Sequence, residues 1–310
     1  MDTLTTPNGT PISRLTFGTM QFGGTADAAE SKAMFEAARA AGINHFDTAV
    51  GYNGGASEEI LGGLLADCRD EVFVATKVGY VGGASAANIN TQFETCQKQL
   101  ALDAVDLLYM HRFDDETPLE ETFGALAALQ TQGLIRYIGV SNYAAWQIMK
   151  AQGVAAALGT RIDAIQPMYS LVKRQAEVEI FSVAADQGIT IFPYSPLGGG
   201  LLTGKYAEGG SGRLTDDPRY KARYAQAWMH GTAKGLRNLA KGLGVEAATL
   251  AVAWAARHPA QPHPIISARS VEQLGPSLAA AEFDLTDEFY DRITALSITP
   301  APATDRLEEG

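Results

Sequence analysis

Four titratable residues stand at or just beyond the ends of short apolar runs. Asp47 lies in NHFDTA with Tyr52 five residues on, Lys77 lies in EVFVATKV, and His111 lies in VDLLYMHR. A buried lysine needs an anion to stay charged, and Asp47 on the neighbouring run is the natural one. An ammonium fixed in that way favours the phenolate form of an adjacent tyrosine, whose reference pKa of about 10 otherwise keeps it out of proton transfer near neutrality. A shift of roughly two to three units takes about 3 to 4 kcal/mol of differential interaction, within reach of one close, desolvated cation. Tyr52 is thus expected to act as an acid or base, with His111 orienting a carbonyl oxygen by hydrogen bonding. Such a site protonates an oxygen and has no nucleophile, metal cluster or acid/base pair of carboxylates. Each residue alone has a plainer reading: Asp47 as a cap or turn former, Lys77 as a strand end, Tyr52 as a surface aromatic, His111 as a hydrogen-bonded core histidine. Their recurrence at successive strand ends favours the chemistry.

The elements that must hold these groups are eight β-type runs: LTFGTM, NHFDTA, EVFVATKV, VDLLYMHR, IRYIGVS, AIQPMYS, ITIFPYS and PIISA. Helical periodicity lies between them. In AAESKAMFEAARAAG, Asp27 and Glu30 have capping-box spacing and Gly42 suits the position after the helix. In TPLEETFGALAALQTQG, Thr117 is the expected N-cap, Pro118 the first helical residue and Gly133 the stop. Strands too apolar to have a solvated face, alternating with helices, predict a closed parallel (β/α)8 TIM barrel in a single domain over residues 1–310. A doubly wound sheet is the rival, but no GxGxxG follows an early strand. Asn8-Gly9 predicts a type I′ N-terminal hairpin, plausible as a plug for the barrel bottom. Residues 203–231, after strand seven, form a Gly-, Asp-, Arg- and Tyr-rich segment expected to be a long loop and lid that includes Trp228. Trp146, Trp228 and Trp254 are all read as helix-packing anchors, Trp228 being the only one on the expected lid.

The other strand ends suggest a partner for the chemistry. Ser141, Asn142 and Gln166 form a donor and acceptor set suited to a carboxamide, and Tyr194 offers a face for a flat ring, so a nicotinamide fits. Asn142 precedes YAAWQIMKA and is equally readable as a helix cap. Ser195-Pro196-Leu197 and three glycines read as a turn whose backbone approaches a ligand closely. Ser270 and Gln273 have capping-box spacing, which places a helix N-terminus beside Arg269 as an anion site, with Lys205 and Arg213 as further phosphate candidates. Gln273 is equally readable as occupied by capping alone. His45, His258 and His263 lie away from the strand ends and are read as structural. Tyr80, Phe113, Trp228 and Met20 are candidates to line the substrate.

Composition bounds the rest. Across 310 residues, 24 Lys+Arg against 35 Asp+Glu give a formal charge of −11, which disfavours nucleic acid and anionic membranes as partners. No 18-residue apolar run or apolar leader core is present, so a cytoplasmic protein is expected. Cys68 and Cys96 form neither a disulfide framework nor a zinc spacing and are read as reduced thiols, and no metal is expected.

From about residue 12 to 282 the chain resembles the aldo-keto reductase superfamily. The segments GINHFDTAVGYNGGASEEILG, VFVATKVG, DLLYMHRFD, GLIRYIGVSNY, IQPMYSLV, FPYSPLGGGLLTGKY and IISARSVEQL each match a family segment, in order. The resemblance implies a catalytic tetrad of Asp47, Tyr52, Lys77 and His111, with NADPH extended across the barrel mouth. It places Thr19 and Met20 beside the nicotinamide ribose, Ser141, Asn142 and Gln166 on the carboxamide, and Tyr194 against the ring. It further implies Ser195, Leu197, Gly199, Leu202 and Lys205 along the pyrophosphate, and Ser267, Arg269 and Gln273 around the 2′-phosphate. Many relatives carry an acid and an Asn after the EQL where this chain has Pro276 and Ser277, so the NADP preference rests mainly on Arg269. The implied activity is NADPH-dependent reduction of a small aldehyde or ketone, favoured by the retention of His111. The alternatives are an NAD(P)-dependent sugar or alcohol dehydrogenase, and a non-catalytic NADPH-sensing regulatory subunit.

Overall fold

The computed structural model describes residues 4–306 and Glu308. Its eight strands fall on the eight apolar runs: β1 Thr16–Gly18, β2 His45–Asp47, β3 Phe73–Val78, β4 Val105–Met110, β5 Ile135–Ser141, β6 Ala164–Gln166, β7 Thr190–Ile191 and β8 Ile265–Ile266. All pair in parallel, in the order β7-β6-β5-β4-β3-β2-β1-β8. The two ends of this order also meet, because the Ile265 N–H donates to Pro193 O at 2.9 Å and Tyr194 bridges Ile265. The architecture is consistent with a (β/α)8 fold. Every residue of β3 and β4 is buried, as two-sided packing under crossover helices requires.

Two layers of core follow from strand alternation. Outward-facing residues such as Phe46, Val74, Leu108 and Ile138 pack against the helices. Phe73, Ala75, Leu107, Tyr109, Ala164, Phe192 and Ile265 form a second cluster, joined by Leu4 and Ile12 of the N-terminal segment. Gly139 is needed here: a Cβ at this position would collide with the Tyr109 ring on the neighbouring strand. Asp106, fully buried on β4, pairs with Arg69 at 2.9 Å and Arg136 at 2.8 Å, and Arg136 also donates to Thr5 O at 2.6 Å. This clasp ties the N-terminal segment to the strands beneath.

Several local expectations need correction. The helix Leu119–Thr131 has Pro118, not Thr117, at its N-cap, because the Thr117 hydroxyl is engaged by Asp114 at 2.7 Å. Thr5 and Pro11 do form an antiparallel bridge, but the turn is not type I′. Gly9 N–H donates to Thr6 O at 2.9 Å, which makes Pro7 and Asn8 the central residues, and the ring of Pro7 forbids the positive φ that type I′ requires. Gly9, at φ +88°, follows that turn. The segment after β7 carries short helices at Arg213–Asp216 and Pro218–Arg223, and from Ala227 it is already the helix Ala227–Leu243. Trp228 belongs to that helix and not to a lid, and it packs against the core as expected of a helix anchor. Trp254 is buried as expected, whereas Trp146 is 62% exposed at the second residue of the helix Ala145–Ala157. Among the described residues no single helix is long and apolar enough to cross a membrane.

Candidate active site

Asp47 ends β2 and Lys77 sits one residue before the end of β3, so strand pairing alone brings them to the same rim. The Lys77 ammonium donates to Asp47 Oδ1, to Thr48 O at 2.7 Å and to the Tyr52 hydroxyl at 3.5 Å. Gln166, at the end of β6, donates to the other Asp47 oxygen at 2.8 Å. Both carboxylate oxygens therefore accept hydrogen bonds, an arrangement that suits an ionised group. Burial pushes the Asp47 pKa up, against the pull of Lys77. Burial likewise opposes the charge on Lys77, but Asp47 and Tyr52 overcome it and raise the lysine pKa, so the ammonium persists.

Tyr52 opens a short turn, Tyr52–Gly55, before the helix Ala56–Leu65. Asn53, at φ +52°, donates from its amide to Met20 O at 2.8 Å and Phe22 O at 2.7 Å, pinning this turn to the loop after β1. The phenol faces His111, with ring centroids 5.9 Å apart. The expected lowering of the Tyr52 pKa is corrected. Burial raises it above 10 and outweighs the opposing effect of Lys77, because an isolated phenolate loses more hydration than one 3.5 Å hydrogen bond returns. His111 is pushed down to about 3, first by burial and then by Lys77 and Arg112, so its imidazole is neutral.

The remaining candidates cluster along the same rim. Thr19 is buried; its N–H donates to Asp47 O at 2.9 Å and its hydroxyl is 2.8 Å from that of Ser57, while Met20 beside it is 36% exposed. Ser141 donates to Gln166 O at 3.0 Å. Asn142, at φ +59°, accepts from the Tyr194 hydroxyl at 2.7 Å and donates to His111 O at 2.9 Å. It caps no helix, since the N-cap is Ala144. Ser195, at φ +62°, leads through Leu197 into Gly198, Gly199 and Gly200, all left-handed, and then to Leu202, which is buried. Left-handed backbone at three successive positions is open to glycine at little cost, and a Cβ on Gly199 would meet the Tyr220 ring at 2.8 Å.

Lys205, Arg213 and Arg269 lie near enough that burial and the charges of Arg269 and Arg213 lower the Lys205 pKa. Such mutual repulsion fits a site that receives an anion. Ser267 has a buried hydroxyl with no hydrogen-bond partner at the end of β8. Ser270 caps the helix Val271–Leu278 by accepting from Gln273 N–H at 3.3 Å, and the Gln273 side chain accepts from Arg269 N–H at 3.4 Å. One partner was missed from sequence: Glu30, 241 residues away, accepts from Val271 N–H at 2.6 Å and so places a carboxylate on this helix N-terminus. In the sequence Glu30 reads as the capping-box partner of Asp27; Asp27 does accept from Glu30 N–H at 2.9 Å, but the Glu30 side chain turns to Val271. Among the described residues no group of three or more His, Cys, Asp or Glu is arranged for a metal ion.

The chain is also similar in sequence to known proteins. Residues 14–298 match the family model described as the aldo/keto reductase family. The chain is 34% identical to a probable voltage-gated potassium channel subunit beta of Oryza sativa subsp. japonica, over 93% of this chain and 94% of that protein. It is 33% identical to the uncharacterized oxidoreductase YrpG of Bacillus subtilis, over 97% and 96%. It is 34% identical to human aflatoxin B1 aldehyde reductase member 4, over 86% and 87%. With the family model matched over most of its length, this chain belongs to the aldo/keto reductase family of oxidoreductases.

Proposed function

We propose that the protein, acting as one domain, is an NADPH-dependent reductase of aldehydes or ketones, with Tyr52 as the proton donor. The observation that carries this reading is the Lys77 ammonium, held between Asp47 and Thr48 O and 3.5 Å from the Tyr52 hydroxyl. When bound, NADPH supplies a hydride to the carbonyl carbon. Tyr52 is protonated at neutral pH and donates its hydroxyl proton to the carbonyl oxygen, and Lys77 stabilises the tyrosinate left behind. His111, being neutral, offers one N–H to the same oxygen and adds no competing charge. Thr19, Met20, Ser141, Asn142, Gln166 and Tyr194 would hold the nicotinamide end. Ser195, Leu197, Gly199, Leu202, Lys205 and Arg213 would hold the diphosphate, and Ser267, Arg269 and Gln273 the 2′-phosphate. The repelling cations and the unpartnered Ser267 hydroxyl fit that group. The Val271 N–H donates to the Glu30 carboxylate, so this helix N-terminus already pairs with an oxyanion, although Glu30 also occupies that donor.

The deciding experiment is fluorescence titration of the purified protein with NADPH and NADH, followed by a panel of small aldehydes read at the nicotinamide absorbance. Tight NADPH binding with turnover supports the reductase, and no binding rejects it. Binding without turnover would move the reading to a regulatory subunit, which the potassium-channel relative and the exposed Trp146 and Met149 on one helix favour as the second possibility. Arg269→Ala is expected to weaken NADPH binding roughly 10- to 100-fold while leaving NADH nearly unchanged. Equal losses for both nucleotides would remove the 2′-phosphate role. Because His111 sits at about 3, kcat/KM for an uncharged aldehyde is expected to show no inflection near pH 6.5. A pH–rate profile from 5 to about 9 checks this, and an acid limb that disappears in His111→Gln would contradict it.

A further inference from the structure

We propose that Arg112 and Tyr80 form a subsite at the barrel mouth that selects carbonyl substrates bearing an anionic group. The inference rests on the reductase reading and names its substrate class. His111, the residue that would orient the carbonyl, has its ring 5.0 Å from that of Tyr80. Tyr80 is 53% exposed, and the Arg112 guanidinium lies over its ring at 5.1 Å. The imidazole that would orient the carbonyl and the guanidinium that would hold an anion therefore both lie against one aromatic ring.

The guanidinium is available. Among the described residues no carboxylate lies within ion-pair distance of Arg112. The nearest acid in sequence, Asp114, spends its oxygens on Ala84 N–H at 2.7 Å, Glu116 N–H at 3.1 Å and the Thr117 hydroxyl at 2.7 Å, so that Arg112 reaches it through charge alone and not through an ion pair. Arg219, whose charge also reaches Tyr80 from the helix Pro218–Arg223, is by contrast paired with Asp217 at 2.8 Å. On a chain of net charge −11, an unpaired cation beside the reacting position is a local exception that draws an anionic substrate in and orients it.

The test compares 4-carboxybenzaldehyde with its methyl ester, using the full chain and NADPH. The wild type is expected to favour the acid in kcat/KM by about five- to tenfold, an advantage that shrinks at high salt. Arg112→Gln is expected to abolish that preference while changing the ester by less than about twofold. Equal rates for the two aldehydes in the wild type, or equal losses for both in the variant, overturn the subsite. A turnover-free readout separates this from the parent reading: calorimetric titration of the protein with 4-(hydroxymethyl)benzoate in the presence of NADP+. If neither aldehyde turns over but benzoate binding weakens severalfold in Arg112→Gln, the reductase reading fails and the subsite stands. Absence of both turnover and benzoate binding overturns the subsite as well.

Discussion

Replacing Tyr52 with phenylalanine is expected to lower kcat by roughly 10² to 10⁴ while leaving the Kd for NADPH nearly unchanged. The substitution removes one oxygen at the rim. Asp47, Lys77 and Gln166 keep their mutual hydrogen bonds, because the Lys77 ammonium makes its closest contacts with Asp47 and Thr48 O and only a 3.5 Å contact with the phenol. The ring stays against His111, so the cradle keeps its shape. Single-turnover kinetics with a saturating aldehyde, set beside a fluorescence titration of NADPH, separate the two quantities. A parallel loss of binding and turnover would show that Tyr52 supports the cradle and does not supply the proton.

Lys77→Met is expected to do more, lowering turnover at least as far as Tyr52→Phe and removing about 3 to 5 kcal/mol of stability near pH 7. Methionine fills much of the volume but leaves the buried Asp47 carboxylate without its cation. Burial already raises the Asp47 pKa with Lys77 present, and without Lys77 nothing comparable opposes it. A carboxyl whose folded-state pKa exceeds its unfolded value of about 3.9 binds more protons in the folded state, so its contribution falls as pH rises through that window. The penalty in the variant is therefore larger at pH 7 than at pH 5. Urea titrations of wild type and variant at the two pH values check the sign. A pH-independent difference would mean that lost packing, and not an orphaned charge, dominates.

Much of the framework was legible because it depends on short-range pattern. Strands buried on both faces read as unbroken apolar runs, and a charged residue inside such a run, as with Asp47 and Lys77, is conspicuous because burial is costly without a partner. Ser270 as a cap and Gly42 and Gly133 as left-handed stops follow from local chemistry in the same way. The contacts that escaped are those made by curling the sheet. Gln166 reaches Asp47 across 119 residues, Glu30 reaches Val271 across 241, and Asp106 gathers Arg69 and Arg136. None of these has a spacing to read. The direction of the Tyr52 pKa was missed for a related reason. Sequence displays the neighbouring cation, but the hydration lost by the phenol depends on how deeply the finished rim encloses it.

The meeting of β8 with both β1 and β7 bears on how the chain is made. On a ribosome, Thr16 emerges long before Pro264, whose carbonyl accepts its N–H at 3.0 Å, and Thr5 emerges 131 residues before Arg136. β2 through β7 can add one after another as they appear, each pairing with the strand before it. The free side of β1 and the open side of β7 remain unpaired edges until Ile265 and Ile266 arrive, and such edges invite pairing with other nascent chains. Sealing the sheet is thus a late, long-range event in a high-contact-order fold, and the interval before it is when the molecule is most exposed to misassembly.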